Sequence, residues 1–81
     1  MYCQWNRIPE KILLMYGLQK DEVDELVQDR AELSAFEPYD KAKGRHRTII
    51  VTSDGRRFEV QCTFHEGRPW IQSICLEIEG T

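Results

Sequence analysis

Long hydrophobic runs are missing from this sequence of 81 residues. The longest apolar run covers residues 12–16, far short of the roughly 18 apolar residues that span a membrane. The sequence also lacks a basic start followed by an apolar segment, which is typical of a signal peptide. We therefore expect no membrane association, no signal peptide and a cytoplasmic location.

Cysteine is scarce, and known metal or phosphate motifs are missing. The three cysteines, Cys3, Cys62 and Cys75, are odd in number and have no C-x-x-C spacing, which excludes a disulfide framework or a cysteine zinc site. Cys62 and Cys75 lie in apolar strand patterns, where free cysteine behaves as a small hydrophobic residue. There is no glycine-rich phosphate loop and no calcium-loop spacing. We therefore expect no metal and no cofactor.

The composition is that of a folded domain, and its charge is segregated. Apolar residues make up 41% and charged residues 31%, which indicates one globular domain over residues 1–81. The net charge is −3. Residues 1–40 hold four basic and nine acidic residues, giving −5, whereas residues 41–57 hold six basic and one acidic, giving +5. Such a basic segment suits a phosphate backbone or an acidic partner.

The first third of the chain predicts two short helices. Pro9 fits a first helical turn, Ile8, Ile12 and Met15 recur at helical spacing, and Gly17 suits the residue after a helix end. The first helix is thus predicted over residues 9–16.

A second helix is predicted after Gln19 as its N-cap. Leu18 and Val23 have the spacing of a hydrophobic staple. The apolar stripe is predicted at Val23, Leu26 and Val27. The solvent face is predicted at Asp24, Glu25, Gln28 and Asp29.

From residue 33 the apolar period changes to two, which predicts strands. Residues 1–5 form either a short strand or an unanchored start, residues 33–39 a short strand, and residues 38–45 a loop. Residues 48–52 are rich in β-branched side chains. Asp54-Gly55 is a strong hairpin signal, and as a two-residue loop it pairs Val51 with Phe58 and Ile49 with Val60.

Two further strands are predicted from residue 57 onwards. Phe58, Val60, Cys62 and Phe64 alternate with polar residues, and a turn follows at residues 65–69. Pairing Phe64 with Trp70 aligns Val60 with Ile74 and Phe58 with Leu76. The remaining inner-face positions are predicted at Trp70, Ile74, Leu76 and Ile78. The fold class predicted is α+β, with two short N-terminal helices packed on one face of an antiparallel meander sheet of three to five strands.

Several segments together resemble a known family. They are the run of residues 16–26 around Gly17, the aromatic start at Trp5, the Gly44-Arg45-His46-Arg47 approach to a long strand, and the Asp54-Gly55 turn. In this pattern the chain resembles the RelE/ParE toxin superfamily, and within it the BrnT-like branch. The resemblance implies a small RelE-like domain that acts as a toxin, with metal-independent ribonuclease activity and an antitoxin as its partner.

Metal-independent RNA cleavage needs a base, an acid and cations around the phosphate. A histidine side chain can act as base or acid near neutral pH, and arginines grip phosphate with two hydrogen bonds. The catalytic candidates are His46, Arg45, Arg47 and Arg57. The RNA-binding candidates are Lys41, Lys43, Tyr39, Arg56 and Arg68, the last beside His65 in the turn of residues 65–69.

Other interpretations stay open at this stage. The basic segment is equally explained as a solvated loop, and Tyr39 as a cover for the core edge. A second hypothesis is a non-enzymatic binding module, such as a phage or mobile-element inhibitor or an accessory subunit, whose acidic N-terminal half binds a protein partner. Both a monomer and a homodimer are compatible with the sequence, and the roles of the three cysteines stay open.

Overall fold

The computed structural model describes residues 3–77, which form two helices and five strands. In chain order they are β1 (Gln4–Trp5), α1 (Arg7–Tyr16), α2 (Lys20–Glu32), β2 (Glu37–Asp40), β3 (Arg45–Val51), β4 (Arg57–His65) and β5 (Arg68–Leu76). The strands form one sheet in the order β1-β5-β4-β3-β2. Both helices lie on the same face of this sheet. The predicted α+β class, with two helices and up to five strands, is confirmed.

The sheet is mixed, because β1 runs parallel to β5 while the other neighbours are antiparallel. The region predicted as a loop, residues 38–45, contains more structure than expected. It includes most of β2 and a 3₁₀ turn at Lys41–Lys43, after which Gly44 adopts a left-handed conformation with φ 66°. Pro38 is tolerated within β2 because β2 is an edge strand.

Helix α1 ends as predicted but buries a different side. Gly17 has φ 66°, and the N–H groups of Gly17 and Leu18 bond back to the carbonyls of Leu14 and Leu13, which satisfies the last turn of the helix. The predicted stripe is correct at Ile12, which packs on the core, and wrong at Ile8 and Met15, which are largely exposed. Pro9, Leu13 and Tyr16 complete the buried side.

Helix α2 begins after Gln19, and the predicted staple residues Leu18 and Val23 are both buried. The prediction that Asp24 lies on the solvent face was wrong. Asp24 is buried and its Oδ1 accepts a hydrogen bond of 2.6 Å from Trp5 Nε1. Burial raises the pKa of the Asp24 carboxyl, and the Trp5 hydrogen bond opposes that rise. Asp24 is therefore a structural link between α2 and β1.

The hairpin between β3 and β4 forms at the predicted place with a different register. Thr52 N–H bonds to Arg56 O, Gly55 N–H bonds to Thr52 O, and Gly55 has φ 86°. The loop is thus the three-residue type that ends in a left-handed glycine. The extra residue shifts the pairing by one, so that Ile50 rather than Val51 lies opposite Phe58.

This shift corrects the predicted inner face of β3. Ile50 and Thr48 are buried, and Thr48 lies opposite Val60. Ile49 and Val51 face the other side of the sheet, where Val51 is 49% exposed. The predicted position of Ile49 and Val51 in the core was therefore wrong by one residue.

A bulge changes the register between β4 and β5. Val60 lies opposite Ile74 as predicted, but beyond Gln61 the pairing slips and Cys62 lies opposite Ile71. Ile71 and Ile74 consequently both point into the core. Trp70 pairs with Thr63 instead of Phe64, so its predicted inner-face position was wrong. Ile78 lies outside the described residues.

The core lies between the helices and the covered face of the sheet. Its fully buried centre combines helical valines with residues of β3, β4 and β5: Val23, Val27, Ile50, Phe58, Val60, Cys62, Ile71 and Ile74. Cys3 and Cys62 are buried free thiols, and burial raises the pKa of Cys3 to about 11 and that of Cys62 further still. Cys75 is exposed and donates to Glu59 at 3.9 Å, so it is no core residue.

Candidate nucleic-acid interface

The helices leave the second face of the sheet uncovered, and we call it the open face. Strand residues alternate between the two faces, and the register aligns them into rows. One row runs from Arg47 through Gln61 to Ser73. The open face carries polar, aromatic and charged side chains: Glu37, Tyr39, Arg45, Arg47, Glu59, Gln61, Thr63, His65, Trp70 and Ser73.

Three of the five predicted RNA-binding residues lie at one corner of the sheet, where β2 leads through a turn into β3, and we call this region the basic corner. It consists of Tyr39, Lys41, Lys43, Arg45 and Arg47. Tyr39 belongs to edge strand β2, the lysines to the 3₁₀ turn, and the arginines to the start of β3. The Asp40 side chain accepts the Lys43 backbone N–H at 3.3 Å and thereby fixes the turn.

Arg47 is held in place by three neighbours. Its Nε donates to Glu37 at 2.6 Å, its Nη1 donates to Glu59 at 3.4 Å, and its guanidinium lies 5.4 Å from the centre of the Tyr39 ring. The hydrogen bond to Glu37 raises the pKa of Arg47, so the group is always charged. Arg47 therefore helps to hold the side chains of the corner in place. Its positive charge is already paired with the carboxylates of Glu37 and Glu59.

The other cations of the basic corner are more available. Within residues 3–77, Lys41, Lys43 and Arg45 make no ion pair. Lys41 and Lys43 are exposed and Arg45 is half-buried. Tyr39 is 52% exposed, so its ring is accessible next to a turn and strand start that carry three cations without an ion pair in residues 3–77.

The structure does not bring the four predicted catalytic residues together. His46 lies opposite the buried Cys62, with its ring 5.4 Å from that of Phe64 and edge-on to it. Its Nδ1 is buried and has no hydrogen-bond partner among residues 3–77. His46 thus points to the helix-covered side, while Arg45 and Arg47 point to the open face.

Arg57 and Arg56 lie at the far end of the sheet. Arg57 is four residues along β4 from Gln61, the partner of Arg47, which corresponds to about 13 Å, and its Nε donates to Glu77 at 3.0 Å. Arg56 sits at the hairpin turn, where its Nη1 donates to Tyr16 O at 2.6 Å. Neither residue belongs to the basic corner.

Arg68 begins β5 opposite His65 and is exposed. This pair marks a second group on the open face that the sequence patterns only partly indicated. His65 Nε2 lies 3.1 Å from Thr63 Oγ1, and the His65 ring is edge-on to Trp70 with the ring centres 5.1 Å apart. Gln72 Nε2 also donates to Thr63 Oγ1, at 3.0 Å.

Asn6 extends this second group towards β1. Its side chain bonds to Gln72, and its Oδ1 accepts from Trp70 Nε1 at 2.8 Å. The alternation of β4 could have placed Thr63 and His65 on one face. The bulge that turns Trp70 towards them has no short-range sequence signal, so the group as a whole was missed.

The described part of the chain offers no metal centre. Among residues 3–77, no three or more His, Cys, Asp or Glu side chains are arranged to hold a metal ion. In the same range no helix is both long and apolar enough to cross a lipid bilayer. What the open face offers chemically is cations, hydrogen-bond donors and aromatic rings.

Comparison with known proteins finds no matching family model, no matching curated protein and no matching solved structure.

Proposed function

We propose that this chain is a RelE/BrnT-like protein that binds single-stranded RNA at the basic corner of its open face. One observation carries the proposal: Lys41, Lys43 and Arg45 are free of ion pairs within residues 3–77 and lie in the turn and strand start that follow Tyr39, whose ring is half exposed. Single-stranded nucleic acid is bound by this combination of cations, which follow the phosphates, and aromatic rings, on which bases stack.

The second group of the open face lengthens the surface. Arg45 lies next to His46, whose partner is Cys62, so Arg45 projects beside Thr63 on the open face. Thr63 connects to His65 and Gln72 by hydrogen bonds. A strand of RNA bound at the basic corner would thus continue across β4 towards Trp70, a second stacking surface.

The proposal extends from RNA binding to RNA cleavage, that is, to ribonuclease activity. A base must reach the 2′-hydroxyl on the face where the phosphate is bound. His46 points to the opposite face, and His65 is the histidine on the open face. Cleavage at this surface would therefore depend on His65 and not on His46.

Binding is tested with a fluorescein-labelled single-stranded RNA of about 12 nucleotides. Arg45→Gln and Lys43→Gln should each weaken binding by about three- to tenfold, as measured by fluorescence anisotropy, because each removes a phosphate contact. The logarithm of affinity should fall with the logarithm of salt with a slope of about −2 to −3 for three to four contacts. Tyr39→Ala should weaken binding without changing that slope.

The matched control is Lys11→Gln, which removes the same charge from exposed α1 on the helix side. It should leave RNA affinity unchanged. Equal losses from Lys11→Gln and Arg45→Gln would show nonspecific attraction and reject the basic corner. Cleavage is tested by incubating the same RNA with the protein for a long time. RNA that stays intact with wild type rejects ribonuclease activity. If His46→Ala abolishes cleavage and His65→Ala does not, His65 is not the base.

A second candidate function rests on the outer side of α2. Asp21, Glu25, Asp29 and Glu32 are all exposed there, and none of them forms an ion pair within residues 3–77. Like charges four residues apart destabilise a helix. We call these four residues the acidic row. A basic protein partner bound to the acidic row would relieve the repulsion between its charges, as in the binding-module hypothesis.

The acidic row has its own test. Glu25→Lys places a positive charge between Asp21 and Asp29, so it should raise the free energy of unfolding by about 0.5 kcal/mol. The same change should weaken capture of a basic partner, for which polylysine is the probe in a pull-down at moderate salt. Unchanged polylysine binding would exclude the acidic row as a docking surface, whatever the outcome at the basic corner.

A further inference from the structure

Half of strand β3 has an unpaired edge. β2 pairs with β3 only at Arg45, His46 and Arg47, so within residues 3–77 no strand pairs with residues 48–51 on that side. These residues are Thr-Ile-Ile-Val, with strong β propensity and without the proline, lysine or bulge that usually protects an edge. At the start of this edge Thr48 Oγ1 donates to Ala35 O at 3.0 Å. A cleft of about 400 Å³ lies there between residues 34–37, Arg30 and residues 47–49. Such an edge is a template for another strand.

Helix α2 lies above the same edge and presents a row of side chains along it. Glu22, Leu26 and Arg30 follow one another at four-residue intervals and so share one side of the helix. Two hydrogen bonds fix that side towards β3. Glu22 Oε2 accepts the Ser53 backbone N–H at 3.0 Å, and Arg30 Nε donates to Thr48 Oγ1 at 3.1 Å.

This row is complementary to itself when it is reversed. An antiparallel copy places an acid against a base at both ends and leucine against leucine in the middle. Arg30 forms no ion pair within residues 3–77, so its charge is available. Leu33, which is 72% exposed at the end of α2, extends the apolar part.

The open face adds an apolar contribution below the same edge. Ile49 and Val51 project there, and Val51 is 49% exposed. Across a two-fold axis near Ile50, Ile49 would lie opposite the Val51 of the second copy, and Val51 opposite its Ile49. β2 pairs only with the first part of β3. The segment before β2 reaches Thr48, whose Oγ1 donates to Ala35 O at 3.0 Å, so the partner would approach β3 beyond Thr48.

We propose that the occupant of this edge is a second copy of the chain, bound through a two-fold axis near Ile50. β3 pairs antiparallel with the partner's β3, which joins two five-stranded sheets into one of ten strands. Above the sheet, Glu22 faces the partner's Arg30, Leu26 faces the partner's Leu26, and Arg30 faces the partner's Glu22. The charge pattern selects a second copy over an unrelated strand because both charges are satisfied only by the same row reversed.

Charge exchange tests this dimer. Wild type should sediment as a dimer, with twice the 9.6 kDa mass of one chain, and dissociate on dilution. Glu22→Arg alone and Arg30→Glu alone each oppose like charges twice, so each should weaken dimerisation at least about tenfold. An equimolar mixture of the two variants should recover the dimer, because every contact then joins opposite charges.

The control is Glu25→Arg, which makes the same charge change on the solvent side of α2 and should leave the dimer intact. Hydrogen exchange adds a second readout: backbone amides at residues 48–51 that point away from β4 should be protected in the dimer and exposed in Ile49→Lys. A wild type that is monomeric at all concentrations overturns the proposal. So does a mixture of the two charge variants that stays monomeric, or a dimer in which those amides exchange freely.

Discussion

Replacing Phe58 by alanine should lower the free energy of unfolding by about 3–5 kcal/mol. Phe58 is fully buried in the middle of the sheet. Its ring is edge-on to Tyr16 with 5.1 Å between the centres, and the Arg56 guanidinium lies 5.4 Å from it. Truncation leaves a cavity beneath α1 and removes both contacts. Because a small domain is stable by only about 5–15 kcal/mol, the variant should be close to unfolding at room temperature.

Urea denaturation followed by circular dichroism measures this loss. The matched control is Tyr39→Ala, which removes an aromatic ring that is 52% exposed on edge strand β2. That change should cost less than about 1 kcal/mol, since it removes a cation–π contact with Arg47 and little buried area. A similar loss of stability in both variants would contradict the assignment of Phe58 to the core centre.

The same substitution at two adjacent leucines should lower the free energy of unfolding by very different amounts. Leu13 is 4% exposed and Leu14 is 85% exposed. Leu13→Ala should therefore lower the free energy of unfolding by about 2–5 kcal/mol, while Leu14→Ala should change it by no more than about 0.5 kcal/mol. Helix propensity does not confound the comparison, because both changes introduce alanine into the same helix.

Thermal and urea unfolding of the two variants side by side give the measurement. The result decides which side of α1 packs on the sheet. If Leu14→Ala were the more damaging change, the helix would be rotated relative to the structure, and the side carrying Ile8 and Met15 would be the buried one.

Local signals in the sequence predicted the helices and the fold class well. Gly17 ended α1, and the Leu18–Val23 staple began α2, because both features depend only on residues within one or two turns. The choice of the buried side of α1 failed for the opposite reason. Ile8, Ile12 and Met15 form as regular an apolar stripe as Pro9, Ile12 and Tyr16, and only the packing partner decides between them.

Strand register was predicted less well, since it depends on single residues in turns and bulges. Asp54-Gly55 supports a two-residue or a three-residue loop, and the difference moves Ile49 and Val51 from the core to the open face. The bulge beyond Gln61 likewise moves Trp70 to the open face. One residue is enough to exchange the two faces of a strand.

The candidate site was predicted as a set of residues but not as an arrangement. The β2–β3 corner of the sheet holds Tyr39, Lys41, Lys43, Arg45 and Arg47, and their role in binding RNA stays a prediction. His46 was grouped with its neighbours along the chain, yet alternation within β3 turns it to the opposite face. Asp24 looked like a solvent residue because its hydrogen-bond donor, Trp5, lies 19 residues away.

The parallel pairing of β1 with β5 has a consequence for how the molecule is made. Gln4 is aligned with Trp70, so β1 leaves the ribosome well before β5, and the two strands can pair only when β5 has also emerged. Until β5 has emerged, the segment that carries Cys3 and Trp5 has no parallel strand to pair with. Contacts so distant along the chain form slowly, which makes the docking of β1 a late event in folding, after the β3–β4–β5 meander has assembled.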